Sequence, residues 1–371
     1  MKIIVNVIVI IFLFIGCSIK EKNIEQKSEP KISYSKGDLK IEVKEKLVEK
    51  ELIVKEEKPL IKKVISEDVA VIFPSSVIGK YALEATNSIN TYLLLKKKNF
   101  SVKVFDIMEQ SKKSLYTALN NIKDNNIKKV IILSTKDSFF DISTYEYINE
   151  FEIYLPLIHQ DDLENYNYEN YRNIVFGSIS YKSQFEKLIS YKDNKKIIEL
   201  YDNSAIGTYL SSFIDNKNIY YKKKIDDNNG NYKRFLKQNR FNNAVVILNT
   251  PIVKSSILLS TIFAQELEVD KIYSSQLNYS PLLFSLTQKQ DRKKLIVANS
   301  IGEIPKELVE YNNIIGNNLL YSWVNYSSIV GVEYLISKNI DSFTDLKIKD
   351  NQIIYPVKLY SVGANSFKLL K

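Results

Sequence analysis

Cysteine and histidine each occur once in this chain, as Cys17 and His159, so any chemistry that needs a thiol or an imidazole has one place to happen. His159 stands in Leu157-Ile158-His159-Gln160-Asp161-Asp162, just past the end of an expected strand. With Ser134 and a neighbouring aspartate it has the residue types of a Ser-His-Asp relay. No Gly-x-Ser-x-Gly elbow is present to offer such a serine, so a cleft-lining or loop histidine is expected and the protein is not read as an enzyme. One His and one Cys cannot assemble a zinc site. No Gly-x-x-x-x-Gly-Lys loop cradles a phosphate, and no cofactor is implied. Tyr166, Tyr168 and Tyr171 cluster in a polar stretch. They read either as a stacking surface for a sugar or partner, or as a solvent-facing loop in a chain with 25 tyrosines.

Cys17 is informative because of what precedes it. Lys2 leads into a run from Ile3 to Gly16 that is apolar but for Asn6. The run is too short to span a bilayer, which takes about 20 apolar residues. A basic start, a short apolar core and a small residue before the cut predict a secretory signal peptide over 1–16. Phe14-Ile15-Gly16-Cys17 resembles the end of a bacterial lipoprotein signal. That resemblance implies cleavage before Cys17, which as the new amino terminus would carry the lipid. Each buried methylene of such a chain contributes about 0.8 kcal/mol to membrane affinity. Ser18, where an aspartate would favour inner-membrane retention, points to a periplasmic protein anchored by lipid, preferentially to the outer membrane.

The formal net charge of +9 resembles a nucleic-acid signature, but Lys is interleaved with Glu and Asp along the whole chain. This reads as compositional bias rather than a basic patch, and export removes nucleic acid as a partner. Residues 17–66 hold the lipidation site and a densely charged stretch of both signs, such as Lys55-Glu56-Glu57-Lys58, with Gly37 its only glycine. Such a segment buries too little apolar area to offset its ordering entropy and is expected to be a flexible tether, with a short helix near 42–57 as the alternative. A coil of this length averages about 40 Å end to end and reaches about 160 Å when extended.

From Asp68 onward, elements able to position a site take turns. Val69–Phe73, Val102–Phe105, Lys129–Leu133, Glu152–Leu155 and Ile174–Phe176 read as strands. Between them, Ala82, Ala85, Ile89 and Leu93 mark one helix face and Leu115, Leu119 and Ile122 another, with a further helix over 182–191. The rhythm restarts with strands Lys196–Tyr201, Ile219–Tyr221, Ala244–Leu248, Lys271–Tyr273 and Lys294–Val297. Helices are expected over 204–214, capped by Asp202, Asn203 or Ser204, and over 232–239, 255–267 and 317–337. Continuous apolar strands alternating with helices predict parallel sheets covered on both faces, hence an α/β protein of two doubly wound lobes.

Val69-Ala70-Val71-Ile72-Phe73-Pro74 with Gly79, Ile132-Leu133-Ser134-Thr135, Tyr154-Leu155-Pro156 and Leu200-Tyr201-Asp202-Asn203-Ser204-Ala205-Ile206-Gly207 occur in order. In these stretches the chain resembles the type 1 periplasmic binding proteins of the leucine/isoleucine/valine-binding kind, over roughly 68–371. The resemblance implies lobe 1 at 68–190 plus 300–340 and lobe 2 at 191–299 plus 341–371. It maps ligand positions to Ser75, Ser76, Ser134 and Thr135, which would hold a carboxylate, and to Tyr201 and Asp202, where an acid would meet an amino group. Thr250 and Ser274 follow later strands, and His159 follows the fourth, at the ends where open parallel sheets bind ligands. A Ser or Thr after a strand is also an ordinary helix cap, and capping stands beside ligation at each position. Gly is sparse, at ten residues, and the loop Pro74-Ser75-Ser76-Val77-Ile78-Gly79 lacks the family's early glycines, which points to an altered or unused pocket.

Two functions of different classes follow. One is an interaction protein, similar to the outer-membrane lipoproteins that activate penicillin-binding proteins through a domain of this fold. The tether and the Gly-poor cleft favour it. The other is a substrate-binding protein that passes a small polar ligand, such as an amino acid or short peptide, to an ABC transporter.

Overall fold

The structure, a computed structural model, describes residues 67–96, 99–163, 171–191, 194–225, 232–236 and 239–370. The expected signal peptide, Cys17, the tether, Tyr166 and Tyr168 lie outside these residues. Along the chain run β1 (Glu67–Phe73), α1 (Lys80–Leu95), β2 (Phe100–Asp106), α2 (Lys112–Asp124), β3 (Lys129–Ile132), β4 (Glu152–Leu155), β5 (Ile174–Phe176) and α3 (Tyr181–Ser190). A second round follows: β6 (Ile197–Asp202), α4 (Ala205–Ser212), β7 (Ile219–Ile225), β8 (Val245–Asn249), α5 (Ile252–Ala264), β9 (Lys271–Ser274) and β10 (Leu295–Asn299). Then come α6 (Lys306–Ile314), α7 (Trp323–Ser337), β11 (Lys347–Lys349), β12 (Gln352–Ile354), β13 (Lys358–Val362) and β14 (Phe367–Leu369). Serine side chains start four of the helices: Ser111, Ser180, Ser204 and Ser322 each accept a backbone N–H from the first turn.

Two seven-stranded sheets result, β11-β12-β5-β4-β3-β1-β2 and β14-β13-β10-β9-β8-β6-β7. The first five strands of each are parallel and share one order, second-first-third-fourth-fifth. The order reverses between β1 and β3 in lobe 1, and between β6 and β8 in lobe 2. Alternation along each strand divides the core. In lobe 1, Val69, Val71, Ile131 and Tyr154 face one cluster, while Ala70, Ile72, Val130 and Ile153 face another. The first cluster continues into lobe 2 through Ile197, Val245, Ile247 and Tyr273. Helix α7 lies within it and is buried on nearly every side, so it has no wholly polar face and buries Asn325, Ser327, Ser328 and Glu333 among its apolar residues.

The carboxy-terminal third departs from expectation. The helix expected over 317–337 begins at Trp323, because Ser322 caps it and Gly316, at φ +79°, ends α6, a helix the periodicity had not suggested. The segment 341–354, expected in lobe 2, pairs with the lobe 1 sheet. There the Phe176 N–H donates to the Asn351 carbonyl at 2.8 Å, and the Gln352 amide reaches the carbonyls of Phe176 and Ser178. Only β13 and β14 return to lobe 2, β13 antiparallel to β10 and β14 antiparallel to β13. No helix among the described residues is long and apolar enough to cross a membrane.

Candidate functional site

In lobe 1 the reversal of strand order brings the carboxyl ends of β1 and β3 together, and with them Ser75, Ser76, Ser134 and Thr135. Ser75 and Ser76 belong to a one-turn helix that is tied to the end of β2. The Ser75 N–H donates to Asp106 Oδ1 at 3.1 Å, and Ser76 Oγ donates to the Met108 carbonyl at 2.6 Å. Ser134 is buried and accepts from Ser138 Oγ at 2.7 Å. Thr135 is clasped at two points by Gln110: its N–H donates to Gln110 Oε1 at 3.0 Å, and its Oγ1 accepts from Gln110 Nε2 at 2.7 Å. Of the four groups expected to receive a ligand carboxylate, Thr135 therefore holds a side-chain amide of the same chain, and the serines bond to other groups of the chain.

His159 sits beyond β4, and its Nδ1 accepts the Asp161 N–H at 3.0 Å, which puts the ring proton on Nε2. Burial lowers its pKa against the opposing pull of the Asp161 and Asp162 carboxylates. The imidazole is thus neutral at pH 7, and the 3.2 Å approach of Nδ1 to Asp161 Oδ2 is not an ion pair. Asp161 in turn accepts from Ser180 Oγ, the cap of α3. Ser134 and His159 each bond to their own neighbours, so no nucleophile–base contact forms. Among the described residues no group of acids, His or Cys could hold a metal.

In lobe 2 the corresponding edge carries Tyr201 and Asp202. The Tyr201 ring lies beneath Lys222 Nζ, 5.1 Å from its centroid. Asp202, 2% exposed, receives Lys254 Nζ on Oδ2 at 2.6 Å, and the Ser204 N–H and hydroxyl on Oδ1. Gly207 lets α4 come this close: a Cβ there would stand 2.1 Å from Asp202 Oδ1. The amino group that Asp202 was expected to meet is therefore supplied by α5. Thr250 and Ser274 are fully buried beneath this edge. Thr250 Oγ1 pairs with Ser255 Oγ at 2.7 Å, Ser274 Oγ donates to the Leu248 carbonyl, and Asn278 Nδ2 bonds both the Thr250 carbonyl and Ser274 Oγ. These two positions are local packing and do not line the cleft.

The lobes also touch across the cleft. Tyr209 on α4 donates its hydroxyl to Asp162 Oδ1 of lobe 1 at 2.6 Å. Its ring stands edge-on to Tyr181 of α3 at 6.0 Å, with Lys136 Nζ 5.7 Å from its centroid. Burial, then the charge of Asp162, pushes the Tyr209 pKa far up, so the phenol stays a donor. A second bridge is fully buried: Gln184 Nε2 of α3 reaches Gln276 Oε1 and Ser300 Oγ, and the Gln276 N–H donates back to Gln184 Oε1. Gln110, Lys254, Tyr209 and Asp162 were not anticipated from the sequence. Lys254 had one available signal, as a cation in the first turn after the third strand of lobe 2. Gln110 had none.

No family model matches the sequence, and no curated protein matches it. Solved structures do match in fold. A protein assigned as a branched-chain amino acid ABC transporter from Rhodospirillum rubrum aligns with a TM-score of 0.66 at 10% identity, covering 82% of this chain and 100% of that one. LivJ, the branched-chain amino acid transporter substrate-binding protein from Streptococcus pneumoniae, solved with isoleucine, aligns with a TM-score of 0.57 at 9% identity, over 83% and 100%. The C-domain of LpoA from Haemophilus influenzae, a regulator of PBP1A, aligns with a TM-score of 0.57 at 9% identity, over 82% and 100%. The architecture is that of the type 1 periplasmic binding proteins.

Proposed function

We propose that this chain is a non-enzymatic protein of the cell envelope that uses a periplasmic-binding-protein body to contact a protein partner rather than to carry a ligand. The observation that carries this reading is that both ligand-facing edges are already occupied by the chain itself, Thr135 by Gln110 and Asp202 by Lys254. Displacing either clasp would leave a partly or fully buried polar group unpaired, at a cost of about 1–3 kcal/mol that a small ligand must offset. A peptidoglycan synthase of the penicillin-binding class is the partner we favour, because the LpoA C-domain, which has the same fold, regulates PBP1A. In this reading Cys17 carries a lipid, preferentially in the outer membrane, and residues 17–66 span the distance to the synthase.

The test is titration of a purified synthase with the full chain, followed by anisotropy. Saturable binding is expected, and deletion of residues 20–60 should abolish function in cells while the melting temperature of the body is unchanged. A deletion that behaves as wild type, or the absence of binding to any synthase of the host, would sink the proposal. The similarity to LivJ keeps a second reading in view, a substrate-binding protein for an amino acid or short peptide. It requires a thermal shift against an amino-acid panel, since ligand at 100 times Kd adds about 2.7 kcal/mol. A flat panel rejects it.

A further inference from the structure

The cleft lies at the carboxyl ends of the parallel strands, and a different site lies at their amino ends in lobe 2. Lys196 leads into β6, Tyr220 and Tyr221 stand at the start of β7, and Asn239 and Arg240 belong to the turn before β8. Because β7, β6 and β8 are adjacent, these five residues converge and line a surface pocket of about 590 Å³. That size falls within the usual range for small-molecule sites. Two cations are aimed there by aromatic rings. The Arg240 guanidinium carbon stands 4.0 Å from the Tyr221 centroid, and Lys196 Nζ stands 5.0 Å from the Tyr220 centroid. A stacked guanidinium presents its in-plane N–H donors at the rim of the ring, the geometry that receives a carboxylate or phosphate in two parallel bonds. Among the described residues no carboxylate lines the pocket. Glu199 on the adjoining β6 is fully buried and faces Lys222 at 3.2 Å. Tyr220 is 62% exposed and offers an apolar ring edge and a hydroxyl, with the Asn239 amide beside it.

We propose that this pocket binds a saccharide bearing a carboxylate or a phosphate. Arg240 and Lys196 take the anion, while Tyr220 packs on the sugar ring and Asn239 meets its hydroxyls. The site stands apart from the cleft and is independent of the function proposed above.

Glucose 6-phosphate, glucuronate, glucose and orthophosphate are titrated separately into the full chain by calorimetry and saturation-transfer NMR. The two charged sugars are expected to bind about tenfold more tightly than glucose, and Arg240→Gln to remove about that factor. Affinity should fall as NaCl rises from about 50 to about 300 mM. Tyr220→Ala should weaken both sugars severalfold and leave orthophosphate unchanged. Should Arg240→Gln fail to fold, Lys196→Gln carries the charge test, with about a threefold loss. The proposal is overturned if glucose binds as well as its phosphate, if neither charge variant alters affinity, if Tyr220→Ala weakens orthophosphate as much as the sugars, or if no charged sugar binds.

Discussion

At the switch point of lobe 1, Thr135 is clasped by the neutral amide of Gln110. At the matching point of lobe 2, Asp202 is held by the ammonium of Lys254. Strand order is the same on both sides, yet the chemistry of closure differs. Thr135 and Gln110 are partly exposed, so water competes for their bonds and the clasp can open at modest cost. Asp202 is 2% exposed, so its charge depends on a partner being present at all times. The buried lobe 2 edge is held by charge, whereas the lobe 1 edge rests on neutral, partly exposed bonds that open at lower cost. Tyr209 joins the two by carrying a lobe 2 hydroxyl to Asp162 of lobe 1.

Lys254→Met has the largest expected effect. It strands a buried carboxylate and should cost about 3 kcal/mol of unfolding free energy in urea, while Asp202→Asn with Lys254→Met should recover most of the loss. A single-variant loss below about 1 kcal/mol would mean that the lobe 2 edge is no more dependent on charge than lobe 1. Tyr209→Phe removes a hydrogen bond to a carboxylate and should cost about 1.5 kcal/mol. It should also raise the radius of gyration in solution scattering if that bond keeps the lobes together, and an unchanged radius would assign closure to the Gln184–Gln276 bridge. Gln110→Ala should cost only about 1 kcal/mol. It bares the Thr135 N–H and hydroxyl, so a thermal shift with free amino acids that appears in this variant alone would show that the edge is competent but occupied.

The smallest effect belongs to His159. Its pKa lies below the ordinary 6.5 in the folded chain. As pH falls from 6.5 through the folded value, the unfolded chain takes up a proton that the folded chain refuses, so stability declines. In His159→Gln that part of the acid limb should flatten in urea titrations at successive pH values. An unchanged slope would place the proton uptake elsewhere.

The parallel core was legible because strands buried on both faces leave continuous apolar runs such as Ala244–Leu248, and the helices between them keep a 3.6-residue stripe. The last third was harder to read. Strands β11 and β12 are short, and β11 is exposed along its length, so they leave little hydropathy signal. Their turn, Asp350-Asn351 with φ +49° and +62°, was the available clue, since such a pair suits a tight hairpin. Of the site, the residues at the two switch points were legible from strand ends, but their partners were not. Gln110 and Thr135 are 25 positions apart, Asp202 and Lys254 are 52, and nothing local in the sequence couples them.

By itself, the sequence determined the alternating elements, the doubly wound lobes and which residues follow each strand. These depend on period and propensity within a few neighbours. Only the tertiary structure decided that the chain returns to lobe 1 for β11 and β12, that Thr250 and Ser274 are buried in local packing, and that Gln110 and Lys254 pair with Thr135 and Asp202. Those outcomes depend on residues far apart in the sequence coming together, as Lys254 does with the buried Asp202. A polar group removed from water is costly without a partner, and at Asp202, Thr250 and Ser274 the chain supplies its own.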